Sequence, residues 1–109
     1  MYIDDCVKGI DMITHGDNLI ATPINLGSSE LVSVNELLSK VEKIAGVKLK
    51  RHYDLTAPRG VAGRNSDNTF IKQVLKWEPN TTLDQGLAAT YKWIREQYHK
   101  RKKGRHVVE

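Results

Sequence analysis

The stretch SVNELLSKVEKIAG, residues 33–46, carries the clearest structural signals in this sequence. Ser33 and Glu36 have the spacing of a capping box, in which each side chain accepts a hydrogen bond from the other residue's backbone N–H group. Gly46 stands where a helix commonly ends in a left-handed residue. Between these signals, apolar residues recur every three or four positions, at Val34, Leu37, Leu38, Val41 and Ile44. The pattern predicts an amphipathic helix between Ser33 and Gly46.

A helix is also predicted on the N-terminal side, in residues 4–14, DDCVKGIDMIT. Either Asp4 or Asp5 is placed to cap its first turn, and one stripe of the helix is apolar, with Val7, Ile10 and Ile13. Cys6, the only cysteine, falls inside this helix, where packing is a better explanation than a nucleophilic role.

Two more helices are predicted towards the C-terminus. Residues 68–79, NTFIKQVLKWEP, form a short helix capped by Asp67 or Asn68, with Ile71, Val74 and Leu75 buried. Residues 82–100 begin with a second capping box, Thr82 with Gln85. The apolar face of this last helix comprises Leu83, Leu87, Tyr91, Ile94 and Tyr98.

Strands are expected in two places. Residues 22–28, TPINLGS, are a short apolar run between Pro23 and Gly27, and residues 47–55, VKLKRHYDL, alternate in polarity. The order of elements therefore predicts an α/β fold, with a small sheet of two or three strands and about four helices. Such a sheet covers little of the apolar helix surface, so we expect a further part of the fold upstream.

Composition limits the class of protein. The 109 residues suffice for one small domain, and 28% charged with 39% hydrophobic residues is ordinary for a globular chain. A single cysteine leads us to expect a reducing, cytoplasmic compartment, and no metal site is predicted. The net charge of +4 is concentrated in the tail, residues 99–109, which we expect to be a solvated helix end or disordered. Residues 1–98 form the predicted domain.

The loop between the second strand and the third helix, TAPRGVAGRNSDN, is open to two interpretations. Gly60, Gly63 and Asn65 suit a turn, which would leave Arg64 as a surface charge. Alternatively, the glycines allow a ligand close to the backbone and the guanidinium of Arg64 binds phosphate oxygens in pairs. The loop alone does not decide between them.

Three segments, taken together, resemble the C-terminal third of the extended short-chain dehydrogenase/reductase (SDR) family. They are YIDDCVKGI, residues 2–10; INLGSSELVSVNELLSKVEKIAG, residues 24–46; and GVAGRNSDNTFIKQVLKWEPNTTLDQGLAATYKWIREQ, residues 60–97. The most specific part is GRNSDNTFIKQVLKWEP, in which an arginine lies three residues before the aspartate that opens a helix. The similarity is strongest to the family's GDP-sugar epimerases.

The resemblance implies a nucleotide-sugar site. Its substrate-binding residues would be Arg64, which meets the diphosphate, with Asn65, Ser66 and Gly63 beside it. It also implies an NAD-dependent epimerase or dehydratase whose cofactor binds a Rossmann domain. Without that domain the apolar helix faces would be exposed, so we expect the chain to form a homodimer. This sequence has no glycine-rich cofactor turn, and Tyr98 with Lys102 matches the family's catalytic Tyr-x-x-x-Lys only by coincidence in a basic tail. We therefore expect no catalytic residue here and no activity from the chain alone.

A second function remains open. GVAG, residues 60–63, is flanked by arginines and resembles the Gly-x-x-Gly loop of KH domains, and the basic tail would add phosphate contacts. The alternative is therefore a small RNA-binding module. Against it, that loop should join two helices, whereas a proline and a strand-like segment precede it here.

Overall fold

The computed structural model describes residues 1–17 and 21–104, and these form four helices. They are α1 (Ile3–His15), α2 (Val34–Ala45), α3 (Thr69–Leu75) and α4 (Leu83–Lys102). All four predicted helices are therefore confirmed. α4 includes the first basic residues of the tail, and residues 105–109 lie outside the described part. None of the helices in the described ranges is long and apolar enough to cross a membrane.

Both predicted capping boxes are present. The Ser33 hydroxyl accepts a hydrogen bond from the Glu36 N–H at 3.2 Å, and the Glu36 carboxylate accepts one from the Ser33 N–H at 2.7 Å. Thr82 and Gln85 exchange the same two bonds at the start of α4. α2 ends at Gly46, whose φ of 69° lies in the left-handed region that glycine adopts without steric cost. These two helices are thus fixed by short-range signals.

The predicted cap of α1 is wrong. The helix begins after Tyr2, which makes no side-chain cap, and neither Asp4 nor Asp5 occupies the cap position. Asp5 is instead buried, and its carboxylate accepts a hydrogen bond from the Thr81 N–H at 2.8 Å. The Asp5 carboxylate therefore binds a donor far along the chain and does not cap its own helix. This bond joins α1 to the segment just before the start of α4.

The predicted sheet is also wrong, because no strand occurs in residues 1–17 or 21–104. Residues 47–54 have no regular secondary structure and are bound to α2, where Glu42 accepts hydrogen bonds from the Leu49 N–H and the Arg51 guanidinium, both at 3.1 Å. The segment is thus bound by a side chain of α2, whereas a strand would need the backbone of a neighbouring strand. The protein is therefore an arrangement of helices joined by irregular segments, not an α/β fold.

The segment at 22–28 likewise has no ladder. A backbone hydrogen bond joins it to another segment, from the Ser66 N–H to the Ser28 carbonyl at 2.9 Å. One such bond does not make a strand pair, because a ladder requires a repeating exchange between two backbones. The segment is nevertheless held beside the loop that leads into α3.

The interior is small. Of the three α3 residues predicted to be buried, Ile71 is the one apolar side chain that is fully enclosed in the described ranges, whereas Val74 and Leu75 are half-buried. α2 packs on α4, where Lys40 and Asp84 form an ion pair. Two glycines allow close packing elsewhere: Gly9 of α1 lies against Leu26, and Gly86 of α4 lies against Tyr2. The helices are thus joined by a few specific contacts rather than by a large core.

Candidate functional site

Arg64, Asn65 and Ser66, three of the four predicted site residues, line one cavity of about 620 Å³. Its other walls come from Met1, Asp67 and residues of the segment 25–30. Gly63, the fourth predicted residue, is not part of the lining, and a Cβ there would lie 3.3 Å from the Leu31 side chain. The loop therefore brings the arginine and its two neighbours to one surface and leaves Gly63 beside it.

Arg64 is exposed, and its guanidinium has no hydrogen bond or ion pair within the part of the chain that the structure describes. The two carboxylates that share the cavity already accept hydrogen bonds. Glu30 accepts one from the Leu83 N–H at 2.8 Å. Asp67 accepts from the hydroxyl and the N–H of Thr69, which keep the pKa of Asp67 below its ordinary value. The five guanidinium donors of Arg64 can thus bind an anion.

Three hydrogen bonds fix the loop to the opposite wall of the cavity, which is the segment 25–30. The Asn65 side-chain amide donates to the Ser29 carbonyl at 3.0 Å, the Ser66 N–H donates to Ser28 at 2.9 Å, and the Asn68 amide donates to Gly27 at 3.0 Å. The sequence predicted that Asn65 binds the ligand, and it left the cap of α3 open between Asp67 and Asn68. In the structure the Asn68 side chain makes no cap, and Asp67 bonds the first turn instead.

Ser66 of the loop lies close to Gly27 of this wall. A Cβ at Gly27 would lie only 2.8 Å from the Cβ of Ser66, so the backbone at Gly27 needs the absence of a side chain. The hydroxyl of Ser66 is buried and has no hydrogen-bond partner in the described ranges. Ser66 therefore contributes to the cavity by its backbone position as well as by its side chain.

A second cavity of about 820 Å³ adjoins the first, and the two share Met1, Ser28, Glu30 and Arg64. Its remaining lining is largely apolar and includes Tyr2, Leu37, Leu83, Leu87 and Trp93. No local signal in the sequence indicates this cavity, because its residues come from separate helices and the segments between them. The combination can hold a ligand with an anionic centre at Arg64 and a flat or apolar portion beside it.

The described residues contain no glycine-rich turn of the kind that binds NAD. The dinucleotide pyrophosphate is bound by a glycine-rich turn between a strand and a helix, whereas Gly9 and Gly86 pack helices and Gly46 ends one. No reaction step through NAD is therefore derived from this chain. In the described ranges there is also no cluster of three or more histidine, cysteine or acidic side chains that could hold a metal ion.

Comparison with known proteins gives the class. No protein-family model matches the chain. It is 46% identical over 101 residues to GDP-mannose 3,5-epimerase of Arabidopsis thaliana, and the match covers 93% of this chain and 26% of that protein. An uncharacterized UDP-glucose epimerase of Bacillus subtilis, YtcB, is 32% identical over 97 residues, covering 89% of this chain and 31% of the relative. UDP-glucuronate 4-epimerase of Thermodesulfobacterium geofontis is 32% identical over 96 residues, which are 87% of this chain and 29% of the relative.

The resemblance seen in the sequence motifs is thus confirmed: over about nine tenths of its length the chain is similar to a C-terminal part of the extended SDR-like epimerases. Within that class it is similar to GDP-mannose 3,5-epimerase, with 44% identity also to the enzyme of Oryza sativa subsp. japonica. The chain spans about a quarter of the length of these first relatives.

Proposed function

We propose that this chain holds the nucleotide-sugar, a GDP-sugar, in an NAD-dependent epimerase, with Arg64 as the residue that binds the diphosphate. The observation that carries the proposal is the exposed Arg64 guanidinium, which has no partner in the described part of the chain and lines a cavity with Asn65 and Ser66. A planar guanidinium donates two parallel hydrogen bonds to phosphate oxygens. The geometry therefore suits a diphosphate better than a neutral sugar.

The relatives support the same ligand class. Their names specify GDP-mannose, UDP-glucose, UDP-glucuronate and GDP-L-fucose, all of which are sugars linked to a nucleoside diphosphate. The diphosphate is the part that these molecules share, whereas base and sugar differ. An arginine that binds the diphosphate would serve all of them, and the 46% identity with a GDP-mannose enzyme favours a GDP-sugar for this chain.

Arg64→Ala tests the proposal. Loss of a charge-assisted hydrogen bond costs about 1.5–3 kcal/mol, so we expect GDP-mannose to bind about 10- to 150-fold more weakly. Arg64→Lys should restore only part of the affinity, because an ammonium group cannot reproduce the paired geometry. Binding is measured by NMR titration of the chain, with GDP and inorganic phosphate as further ligands.

The control for that experiment is Arg59→Ala. Arg59 is an exposed arginine of the same loop, and it lines neither cavity. Its loss changes the net charge by the same amount as the loss of Arg64. The affinity of Arg59→Ala for GDP-mannose should stay within about twofold of that of the starting protein, since an exposed charge outside the cavity is screened by water and salt. Equal weakening by both substitutions, or none by Arg64→Ala, contradicts the assignment of Arg64.

The catalytic chemistry lies outside this proposal for the chain itself. Hydride transfer in an NAD-dependent epimerase needs a bound nicotinamide and an acid/base residue beside the sugar. We propose that the chain alone neither binds NAD nor epimerises a nucleotide-sugar. Saturable quenching of NADH fluorescence by the purified chain, or turnover of GDP-mannose, would show this part of the proposal to be wrong.

RNA binding is the competing function, and the feature that favours it is the basic last turn of α4, with His99, Lys100, Arg101 and Lys102. Truncation after Tyr98 separates the two functions. An RNA-binding module would lose most of its affinity for a short RNA, with a steep salt dependence. A nucleotide-sugar site would keep its affinity for GDP-mannose, because the removed residues that the structure describes, 99–104, line neither cavity.

A further inference from the structure

Two asparagines hold the arginine loop against the opposite wall of the cavity, and we propose that Asn65 and Asn68 are positioning residues for Arg64. This inference rests on the proposed function, in which Arg64 binds the diphosphate. The hydrogen bonds end on three consecutive carbonyls, of Gly27, Ser28 and Ser29. Only the central bond has a backbone donor, so two of the three connections depend on the side-chain amides.

Asn68 is the more buried of the two, with 6% of its surface exposed. Its Nδ2 donates to Gly27 at 3.0 Å, while its Oδ1 is buried and has no partner in the described ranges. A buried amide with an unpaired oxygen costs stability that an apolar residue of similar size would not. The hydrogen bond to the Gly27 carbonyl is the contribution that only the amide makes, which explains why an asparagine occupies this position.

The wall to which the loop is bound is itself fixed to the longest helix. Glu30 follows the three carbonyls directly, and its carboxylate accepts the Leu83 N–H in the first turn of α4 at 2.8 Å. The Glu30 N–H in turn donates to the Ser28 hydroxyl at 3.2 Å. A binding group is held more precisely when its support is a regular element than when it is a free loop. The position of Arg64 thus depends, through the asparagines and Glu30, on α4.

Backbone dynamics test the inference without any ligand. In Asn68→Ala we expect the ¹⁵N order parameters of Arg64 and Ser66 to fall from about 0.85 towards 0.6 or below, the range of flexible backbone, while those of α2 and α4 stay unchanged. Asn65→Ala, which removes an exposed side chain and leaves no buried hole, should lower the same order parameters. Asn80→Ala, at another exposed asparagine, is the matched control and should have no effect on the loop.

A ligand titration then separates positioning from a general loss of structure. Asn68→Ala and Asn65→Ala should each weaken GDP-mannose binding about three- to tenfold, the scale of one neutral hydrogen bond. When Arg64→Ala is already present, neither substitution should weaken binding further, because the group that they position is gone. A purely structural role would lower the melting temperature and leave the affinity of the folded molecules unchanged.

The outcomes distinguish this inference from the proposed function. If Arg64→Ala binds GDP-mannose as tightly as the starting protein, the proposed function is wrong. Suppose instead that Arg64→Ala weakens binding, and that the asparagine substitutions weaken it by the same factor whether Arg64 is present or replaced by alanine. The positioning role is then wrong. Unchanged order parameters at Arg64 in both asparagine variants also overturn it, whether or not a ligand binds.

Discussion

Gly27 lies close to Ser66 across the cavity. Because a Cβ at this position would lie 2.8 Å from the Cβ of Ser66, Gly27→Ala must push the loop and the wall apart. Overpacking of this kind costs about 1–3 kcal/mol, and we expect that decrease in the free energy of unfolding, measured with urea. The same shift should weaken GDP-mannose binding, since it moves the neighbouring Arg64.

Gly60→Ala is the control for this substitution. No atom lies within 4 Å of a Cβ built at Gly60, so alanine fits there and should leave the stability unchanged or raise it by about 0.4–1 kcal/mol. Ser66→Gly provides a second check, since it removes the Cβ that the new methyl group would contact. If Gly27→Ala is equally destabilising with and without Ser66→Gly, the contact is not the cause.

At the level of single residues, the sequence located the loop but not its supports. The resemblance of one motif to the SDR family predicts a site of Arg64, Asn65, Ser66 and Gly63, and the first three line one cavity. The bonds that hold them could not be predicted, since Asn68 reaches a carbonyl 41 residues away and Glu30 a donor 53 residues away. Local spacing contains no information about contacts of that range.

At the level of elements, the helices depend on local signals and were predicted well. Both capping boxes and the end of α2 at Gly46 agree with the sequence pattern, because all of their bonds form within a few residues. The cap of α1 was wrong for the opposite reason. Asp5 accepts a hydrogen bond from a residue 76 positions away, and this long-range donor competes with local capping.

The capping box of α2 makes its stability depend on pH. Hydrogen bonds from Ser33 hold the pKa of Glu36 below its ordinary value of 4.5. A lowered folded-state pKa means that the stabilisation is complete above the unfolded pKa and is lost as the pH falls through the folded value. We expect the carboxyl ¹³C resonance of Glu36 to titrate below pH 4.5, and the Ser33 N–H to lose its protection from exchange in the same range.

Glu36→Gln is the matched variant for that titration. Glutamine keeps an acceptor oxygen for the Ser33 N–H but does not titrate, so the protection of this amide should become independent of pH. Glu36→Ala should remove the protection at every pH, since the acceptor is lost. If Glu36 titrates at its ordinary pKa, the lowered pKa is contradicted. If the Ser33 N–H loses its protection at low pH in Glu36→Gln as well, groups other than Glu36 cause that loss.

The two predicted strands show where element prediction fails. Alternating polarity in residues 47–55 predicts a strand, whereas residues 47–54 form neither helix nor ladder in the structure. A strand needs a partner backbone, and the sequence pattern of one segment cannot show whether a partner is present. Here the side chains of Glu42, Ser39 and Asn35 in α2 occupy that place by binding Arg51.

The whole molecule is more open than a folded monomer of its size. Its accessible surface is 9425 Å², whereas a compact 12.3 kDa protein exposes about 6,100 Å². The radius of gyration is 17.8 Å, compared with about 13 Å for a compact domain of this length. Much of the exposed area is apolar, with Ile3, Val7 and Ile10 of α1 exposed by 62%, 58% and 54%. Exposed apolar surface of this extent is typical of the sites at which proteins bind one another.

We therefore expect the isolated chain to associate through the apolar stripe of α1. Light scattering coupled to size-exclusion chromatography should give a mass that rises with concentration above that of the monomer, and a hydrophobic dye should bind. Ile10→Lys should lower both, because a buried unpaired ammonium opposes association. Gln73→Lys adds the same charge at an exposed polar residue of α3 and should leave them unchanged. A monomer at every concentration that binds no dye would mean that this stripe does not drive association, despite its exposure.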